Sequence, residues 1–474
     1  LLVIPSFYAV ENWRGNRVWE AHRLSGSCIR LGDIPTPPVQ FNTKDASFES
    51  SAYFRFLIED NGGFSELDLG DWGFPNFQFN HYGCLGSEGE IVFDEFPFER
   101  YFIEAPPLQL DRSGAAGLFL EELRHFDQTL DGYTEAANRP HQSPDLTPVQ
   151  HLSDLIAGNL NATEVINVSR VLILRAHAQF KINQPELSLD DIVSVLRFSN
   201  NLGHQGSGFT VSVSAAPIAW VRSPIWFGLK DQVWNRQQLD LVANELELSQ
   251  PCLWARISAT TEKERTLPLL LSLHAPPWRL YEANREWEFL VIRPDWMPHR
   301  LFSGQEEAEE VISSLAFSLI PRGWAKQNTT RYCQAYDLLV AAYGESNPYS
   351  RSQLIDALGE LSSVSSRPYR FISSQLFAGV SAYVESIWRS ETHARMLRLA
   401  VALERYRMDQ GEFPNSLDSV ADGIDSSTTI DPFSGIRFQY RLEDDQSPVI
   451  YSFGPNQTDD GGGRNDIVWR YRTR

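Results

Sequence analysis

Residues 396–414 read Met-Leu-Arg-Leu-Ala-Val-Ala-Leu-Glu-Arg-Tyr-Arg-Met-Asp-Gln-Gly-Glu-Phe-Pro, and this stretch decides how the rest of the chain is read. Met396, Leu399, Ala400, Leu403 and Tyr406 recur at three- and four-residue spacing, so one helix face is apolar, while Arg395, Arg398, Glu404, Arg405 and Asp409 lie off that stripe. Gly411 stands where a left-handed residue closes a helix, and Pro414 forbids its resumption. Beyond it, Phe438–Leu442 and Val449–Phe453 are short alternating runs separated by Glu443-Asp-Asp-Gln-Ser447. That pattern predicts a hairpin laid against the apolar stripe. Residues 391–474 therefore read as one α+β unit, a helix followed by a β-meander and an acidic glycine loop.

Working outward, the chain of 474 residues is too long for one ordinary core. Its hydrophobic content of 42% and aromatic content of 12% suffice to fold it, which excludes global disorder. The formal charge of −20 repels a phosphate backbone, and no basic stripe with interleaved aromatics reverses it, so nucleic-acid binding is disfavoured. No run of eighteen apolar residues spans a membrane. Cys28, Cys84, Cys252 and Cys333 form no C-x-x-C pair, which rules out a zinc knuckle or thioredoxin-type motif. Free buried thiols and a Cys28–Cys84 disulfide both remain open.

From about Leu118 the pattern turns helical. Residues 118–133, 149–181, 188–203, 235–248, 305–320, 328–343 and 352–361 carry apolar positions at helical spacing, and Ser188-Leu-Asp-Asp191 reads as a helix start. Long helices with short polar joints predict irregular α-hairpins, stacked as in tetratricopeptide-like (TPR-like) arrays, over 118–390. No clean 34-residue period accompanies them. Pro217 and Pro224 are read as breaking these helices into a packed corner or a peptide groove, with Trp220 and Trp226 as contact residues. The block 266–291 is read as buried against the neighbouring helices, and the carboxylates of 305–310 as the solvated start of a helix.

Residues 1–117 form the N-terminal part. A short helix is predicted over 11–24, with Trp13 and Trp19 near its apolar face and Arg14, Arg17 and Arg23 solvated. Ile34-Pro-Thr-Pro-Pro38 follows as a stiff strap. Between Ala52 and Tyr101 aromatics crowd together. Trp72 and Tyr82, beside Asp68, Asp71, Asn76 and Asn80, suit stacking on sugar rings, whereas the simpler reading is a small irregular core.

The catalytic texts are missing. There is no His-Glu-x-x-His, no Walker A sequence, no G-x-G-x-x-G after a strand and no G-x-S-x-G elbow; Gly206-Ser-Gly208 lacks the required spacing. The remaining constellation is Asn456-Gln-Thr-Asp-Asp-Gly-Gly-Gly-Arg-Asn-Asp466. Calcium takes six to eight oxygens from a loop able to wrap it, which this spacing permits; a solvated acidic turn is the alternative.

The series 399–407, Gly411-Glu-Phe-Pro-Asn-Ser-Leu417, Asp431-Pro-Phe-Ser-Gly435, Tyr451-Ser-Phe-Gly-Pro-Asn456 and Asp459-Asp-Gly-Gly-Gly463 resembles the globular part of type II secretion major pseudopilins. It is closer still to a family of exported proteins from Verrucomicrobia, Planctomycetes and relatives that end in such a module. Glu11-Asn-Trp-Arg-Gly-Asn-Arg-Val-Trp-Glu20, Pro224-Ile-Trp-Phe-Gly-Leu229 and Ile320-Pro-Arg-Gly-Trp-Ala-Lys-Gln-Asn328 are similar to that second family too. The resemblance implies an extracytoplasmic address, periplasmic or at the cell surface, and an anchor or leader ahead of Leu1. It also implies a calcium site on Asp459, Asp460 and Asp466, with Asn456 where aspartate is frequent. It implies no reaction. Pilins assemble through a very apolar helix at the mature N-terminus; here the equivalent helix follows 390 residues, which argues against direct polymerisation.

The function expected from these readings is structural, assembling or binding protein partners in the cell envelope without catalysis, with a calcium-stabilised C-terminal module. The rival expectation is a glycan-binding protein or glycan hydrolase using residues 68–101.

Overall fold

The computed structural model describes residues 3–24, 84–85, 91–92, 112–138, 160–204, 208–272, 274, 321–362, 369–370, 380–421, 423–463 and 465–471. These are predominantly helical. The helices run α1 (Val3–Leu24), α2 (Arg112–Leu123), α3 (Asp127–Ala137), α4 (Leu160–Lys181), α5 (Pro185–His204), α6 (Gly208–Lys230), α7 (Arg236–Leu248), α8 (Pro251–Ser272), α9 (Arg322–Gly344), α10 (Pro348–Ser362), α11 (Val380–Gln410) and the short α12 (Asp418–Ala421). Two 3-10 turns (Arg124–Phe126 and Ser426–Thr429), a strand pair, β1 (Cys84–Leu85) with β2 (Ile91–Val92), and one antiparallel sheet, β3 (Gln439–Leu442), β4 (Pro448–Ser452) and β5 (Ile467–Arg470) in that order, complete the described elements.

Short joints fold the helices back on one another. Between α4 and α5 only residues 182–184 intervene, with Asn183 at φ 61°, and the two helices pack along each other. The helix start read at Ser188 lies a turn too late, because Pro185 opens α5: its missing N–H is one the first turn does not need. Asn235 caps α7, accepting from the Gln238 backbone while the Gln238 side chain accepts from the Asn235 N–H. The expected helix at 305–320, the strap at 34–38 and the block beyond residue 274 lie outside the described residues.

The two prolines do not break α6. Pro217 and Pro224 sit inside a continuous helix of 23 residues. Each removes one backbone hydrogen bond, but α6 is enclosed by α4, α5, α8 and α11, and this burial holds it helical; the expected corner does not exist.

Helix α11 is the axis of the molecule. It is 31 residues long, begins well before the predicted stripe, and ends where Gly411 adopts φ 85°. The position expected as a domain boundary, between residues 390 and 391, falls inside it. The stripe residues Met396, Leu399, Ala400 and Leu403 are fully buried, and so are Leu397 and Val401 on other faces, because α6, α7, α8, α10 and the sheet surround the helix. One apolar core therefore runs from α2 through α11 into Ile450, Ile467 and Trp469 on one face of the sheet. Val449, Tyr451 and Val468, at alternate positions, form a second cluster on the other face. The hairpin pairs as predicted, with Gln439 opposite Tyr451 and Leu442 opposite Pro448.

At the other end α1 docks along α9 through two glycines. A Cβ on Gly15 would lie 2.2 Å from the Gly323 Cα, and a Cβ on Gly323 would lie 1.8 Å from the Glu11 carbonyl oxygen, so only glycine admits this approach. Around the crossing, the Gly323 N–H donates to Asn12 Oδ1 at 2.9 Å and Trp324 Nε1–H to Glu11 Oε2 at 2.9 Å. Farther along, the edge of Trp19 meets His274, which shares a hydrogen bond of 3.1 Å with Thr329. Two stretches read separately, 11–20 and the described part of 320–328 from residue 321 on, thus form one seam.

Candidate functional site

The C-terminal sheet and the turns before it are joined to the helical body by guanidinium groups bound to backbone carbonyls. From α11, Arg395 donates to the carbonyls of Ser427 at 2.8 Å and Ile430 at 2.9 Å, while Arg398 ties α11 to the end of α7 within the helical body, donating to Leu246 and Ser249 at 2.8 and 2.5 Å. From α10, Arg351 reaches the Phe433 carbonyl at 3.0 Å while stacking over Trp388. From α6, Arg222 reaches Val468 O at 3.3 Å and Trp226 Nε1–H reaches Arg470 O at 2.6 Å. The acceptors are carbonyls at a helix end, in a turn or at a sheet margin, and those of Leu246 and Ser427 also accept a backbone N–H.

Glu391 is the counter-charge of this seam. It is buried, accepts from Arg395 at 2.8 Å and receives the Cys252 N–H, at the start of α8, at 3.1 Å. Burial alone would raise its pKa, but Arg395, Arg398 and these hydrogen bonds outweigh it and hold the carboxyl below its ordinary value. On the opposite side, burial beside the Arg222 charge holds His393 neutral, well below the ordinary histidine value.

Between α7, α11 and the turn at 423–428 the seam opens into a cleft of about 430 Å³. Glu247 and Gln250 line it from the end of α7, Arg398, Ala402 and Arg405 from α11, and Asp425 and Thr428 from the turn. Asp425 is held ionised, below its ordinary pKa, chiefly by the hydrogen bond from the Ser427 hydroxyl. Arg405 pairs with Asp240 at 3.0 Å. The lining thus offers fixed donors and fixed acceptors side by side, a composition suited to the mixed polarity of a peptide backbone and its side chains.

The acidic glycine loop is satisfied from within. Asp466 is buried and accepts from the N–H groups of Gly462 at 2.7 Å and Gly463 at 3.2 Å. Asp460 accepts from the side-chain amides of Asn456 at 3.1 Å and Asn465 at 2.9 Å, and Asp459 from the Gly461 N–H at 2.8 Å. Gly461 and Gly462 take φ 68° and 78°, turning their amides inward and their carbonyls to Arg441 and Arg470. Among the described residues no group of three or more histidine, cysteine, aspartate or glutamate side chains is arranged to hold a metal ion. In this arrangement the four expected calcium ligands already accept from amide donors, Asn456 Oδ1 from the Thr458 N–H.

Trp226 is buried against Arg470 and Phe227, so it offers no face to a ligand. Trp220 is half-buried with the Arg170 guanidinium 5.4 Å from its ring. Trp72 and Tyr82 lie outside the described residues, as does the expected aromatic platform apart from β1 and β2. The Cys28–Cys84 pairing lies outside them also; Cys252 and Cys333 are free thiols. Sequence reading missed Asp431. It is buried and accepts from Phe433 N, both Ser434 donors, the Ser452 hydroxyl and Phe453 N, joining the turn before β3 to the end of β4. Its signal was in the sequence, since Asp431-Pro-Phe-Ser434 has the spacing of an Asx turn with a serine three residues after the aspartate.

Comparison of the chain with protein families, with curated proteins and with solved structures found no match.

Proposed function

We propose that the protein is a non-catalytic binding or assembly protein that works outside the cytoplasm. In this reading its helical part is a TPR-like array of α-hairpins and its C-terminal part a pseudopilin-like module. The observation that carries the proposal is the cleft under the 423–428 turn, where Asp425, Glu247, Gln250 and Arg405 present donors and acceptors on a rigid frame. An extended segment of a protein partner, alternately donating and accepting, matches that lining. The extracytoplasmic address rests on the sequence resemblance alone.

The test is capture from an envelope fraction by the wild-type chain and by Ala402→Trp, which fills the cleft from the half-buried side of α11. A partner retained by the wild type and lost by the variant, at unchanged melting temperature, is the expected result. Equal capture by both, or none by either, overturns it.

Calcium binding in the loop is part of the same proposal. Three carboxylates in one glycine-rich turn support it. An ion bound only by the folded state raises stability by about 2.7 kcal/mol at a hundredfold excess over its dissociation constant. Asp459→Asn leaves the amide contacts of Asp466 in place and is expected to remove the calcium-dependent rise in melting temperature. Superimposable melting curves in calcium and in chelator would show that the loop is a hydrogen-bonded turn and nothing more.

A further inference from the structure

Arg398 brings a charge into the cleft that no carboxylate of the fold binds. Its side chain is buried, with Nε and Nη2 given to the carbonyls of Leu246 and Ser249 at 2.8 and 2.5 Å. It makes no ion pair among the described residues. Glu391 is bonded to Arg395 and the Cys252 N–H, and both oxygens of Asp425 accept from Ser427, at 3.1 and 2.8 Å, so these carboxylates and Glu247 act on Arg398 only through space. A buried guanidinium ordinarily forks onto a carboxylate. Here the third nitrogen, Nη1, donates to nothing among the described residues and is not sealed from solvent, and the cleft is the opening that Arg398 lines.

A second donor meets it there from the turn. In the 426–429 turn the Ser427 hydroxyl donates to Asp425 and the Thr429 hydroxyl to Ser426 O, whereas the hydroxyl of Thr428 has no partner among the described residues. Thr428 is nevertheless only 1% exposed, and it too lines the cleft. Arg398 and Thr428 are thus both at least nine-tenths buried, lie on different elements, and bring an N–H and an O–H that the fold leaves unused to one space. Such a pair of donors suits the oxygens of an anion, and hydrogen bonds to an ionised acceptor are roughly twice as strong as neutral ones. The exposed carboxylates of Glu247 and Asp425 select among anions. They repel a phosphate dianion, and they favour a single carboxylate that has a positive charge beside it.

Building on the reading that the cleft receives a segment of a protein partner, we propose that this segment is anchored by a carboxylate on Arg398 Nη1 and the Thr428 hydroxyl. A basic side chain next to that carboxylate faces Glu247 and Asp425.

The test is titration of the full chain, followed by saturation-transfer NMR, with three probes: acetyl-Gly-Asp-Gly-Lys-Gly-amide, the same peptide with asparagine for aspartate, and acetyl-triglycine with a free terminal carboxylate. At least one of the two carboxylate probes is expected to bind about tenfold or more tighter than the asparagine peptide, and the tighter of them identifies a side chain or a chain end as the source. Thr428→Val removes the hydroxyl at constant volume. Because that hydroxyl has no partner in the fold, the variant should keep the wild-type melting temperature while losing about tenfold in affinity for the carboxylate probe. Glu247→Gln, on the surface, should weaken the aspartate–lysine peptide by about threefold and leave the triglycine probe no weaker. Acetate should displace the bound probe more effectively than inorganic phosphate. Equal binding of the aspartate, asparagine and triglycine probes, unchanged affinity in Thr428→Val, or stronger displacement by phosphate overturns the proposal. A partner captured from the envelope fraction that Ala402→Trp loses and Thr428→Val retains overturns the carboxylate anchor alone and leaves the cleft as the binding site.

Discussion

The helical body holds two appendages, α1 and the C-terminal sheet, and it holds them by different means. At the α1 seam backbone meets backbone, with Gly15 and Gly323 admitting the approach and side-chain amides and carboxylates fastening it. At the sheet seam the backbones stay apart, and Arg351, Arg395 and Arg222 span the gap to carbonyls. A contact made of glycines tolerates no added atom, whereas one made of long side chains tolerates shape changes but not loss of charge balance. The same body therefore has one joint sensitive to volume and another sensitive to charge.

The largest expected effect breaks the charge-sensitive joint. Glu391→Ala removes a buried carboxylate from the half-buried Arg395 and the buried Arg398, and breaking a buried pair costs about 3–5 kcal/mol. Chemical denaturation should show that loss, with the sheet released first; a loss below 1 kcal/mol would mean that the arginines are satisfied by carbonyls alone.

The volume-sensitive joint should answer to Gly323→Ala, which drives a methyl into the Glu11 carbonyl. Overpacking of this kind costs about 1–3 kcal/mol. Faster proteolysis within α1, with the C-terminal sheet still protected, is the expected signature. Protection of α1 equal to wild type would show that the two helices separate at no cost.

Trp226→Phe removes the hydrogen bond to the Arg470 carbonyl together with part of the buried indole, and is expected to lower stability by about 1–2 kcal/mol. Hydrogen exchange along β5 should rise while that of α1 stays constant. Exchange rising equally in both would erase the distinction between the joints.

The smallest effect is in pH. Burial, with a contribution from Lys326, lowers His274 to about 4. The unfolded chain then binds this proton at a higher pH than the folded one, so its contribution to stability is lost as pH falls from the ordinary histidine value toward 4. His274→Leu should flatten the melting temperature over that window, and an unchanged slope would place the acid sensitivity at the sheet seam, where His393 is also held neutral.

How far such features were legible differs by kind. Helix α11 announces itself, since its 3.6-residue stripe and Gly411 need only local sequence, and so does the β3–β4 hairpin with its alternating apolar positions. The fate of Arg398 and Glu404 was not legible. They lie off the apolar stripe, yet both are buried, because Leu246 and Ser249 supply carbonyls to one and Arg407 and Tyr471 supply donors to the other. Pro217 and Pro224 misled for the same reason: a local rule against proline in helices gave way to packing on every side of α6.

By itself, then, the sequence determined periodicity, turns and caps, which depend on neighbours three or four residues away. It carried the predominantly helical character, the terminal hairpin and the self-contained Asx and glycine turns. Only the tertiary structure decided that residues 11–20 and 321–328 form one seam, that α11 is enclosed rather than half-exposed, and that the acidic loop turns its carboxylates onto its own amides. Each of those depends on which distant carbonyl, glycine or amide arrives beside a residue, and one chain read in order does not state such distances.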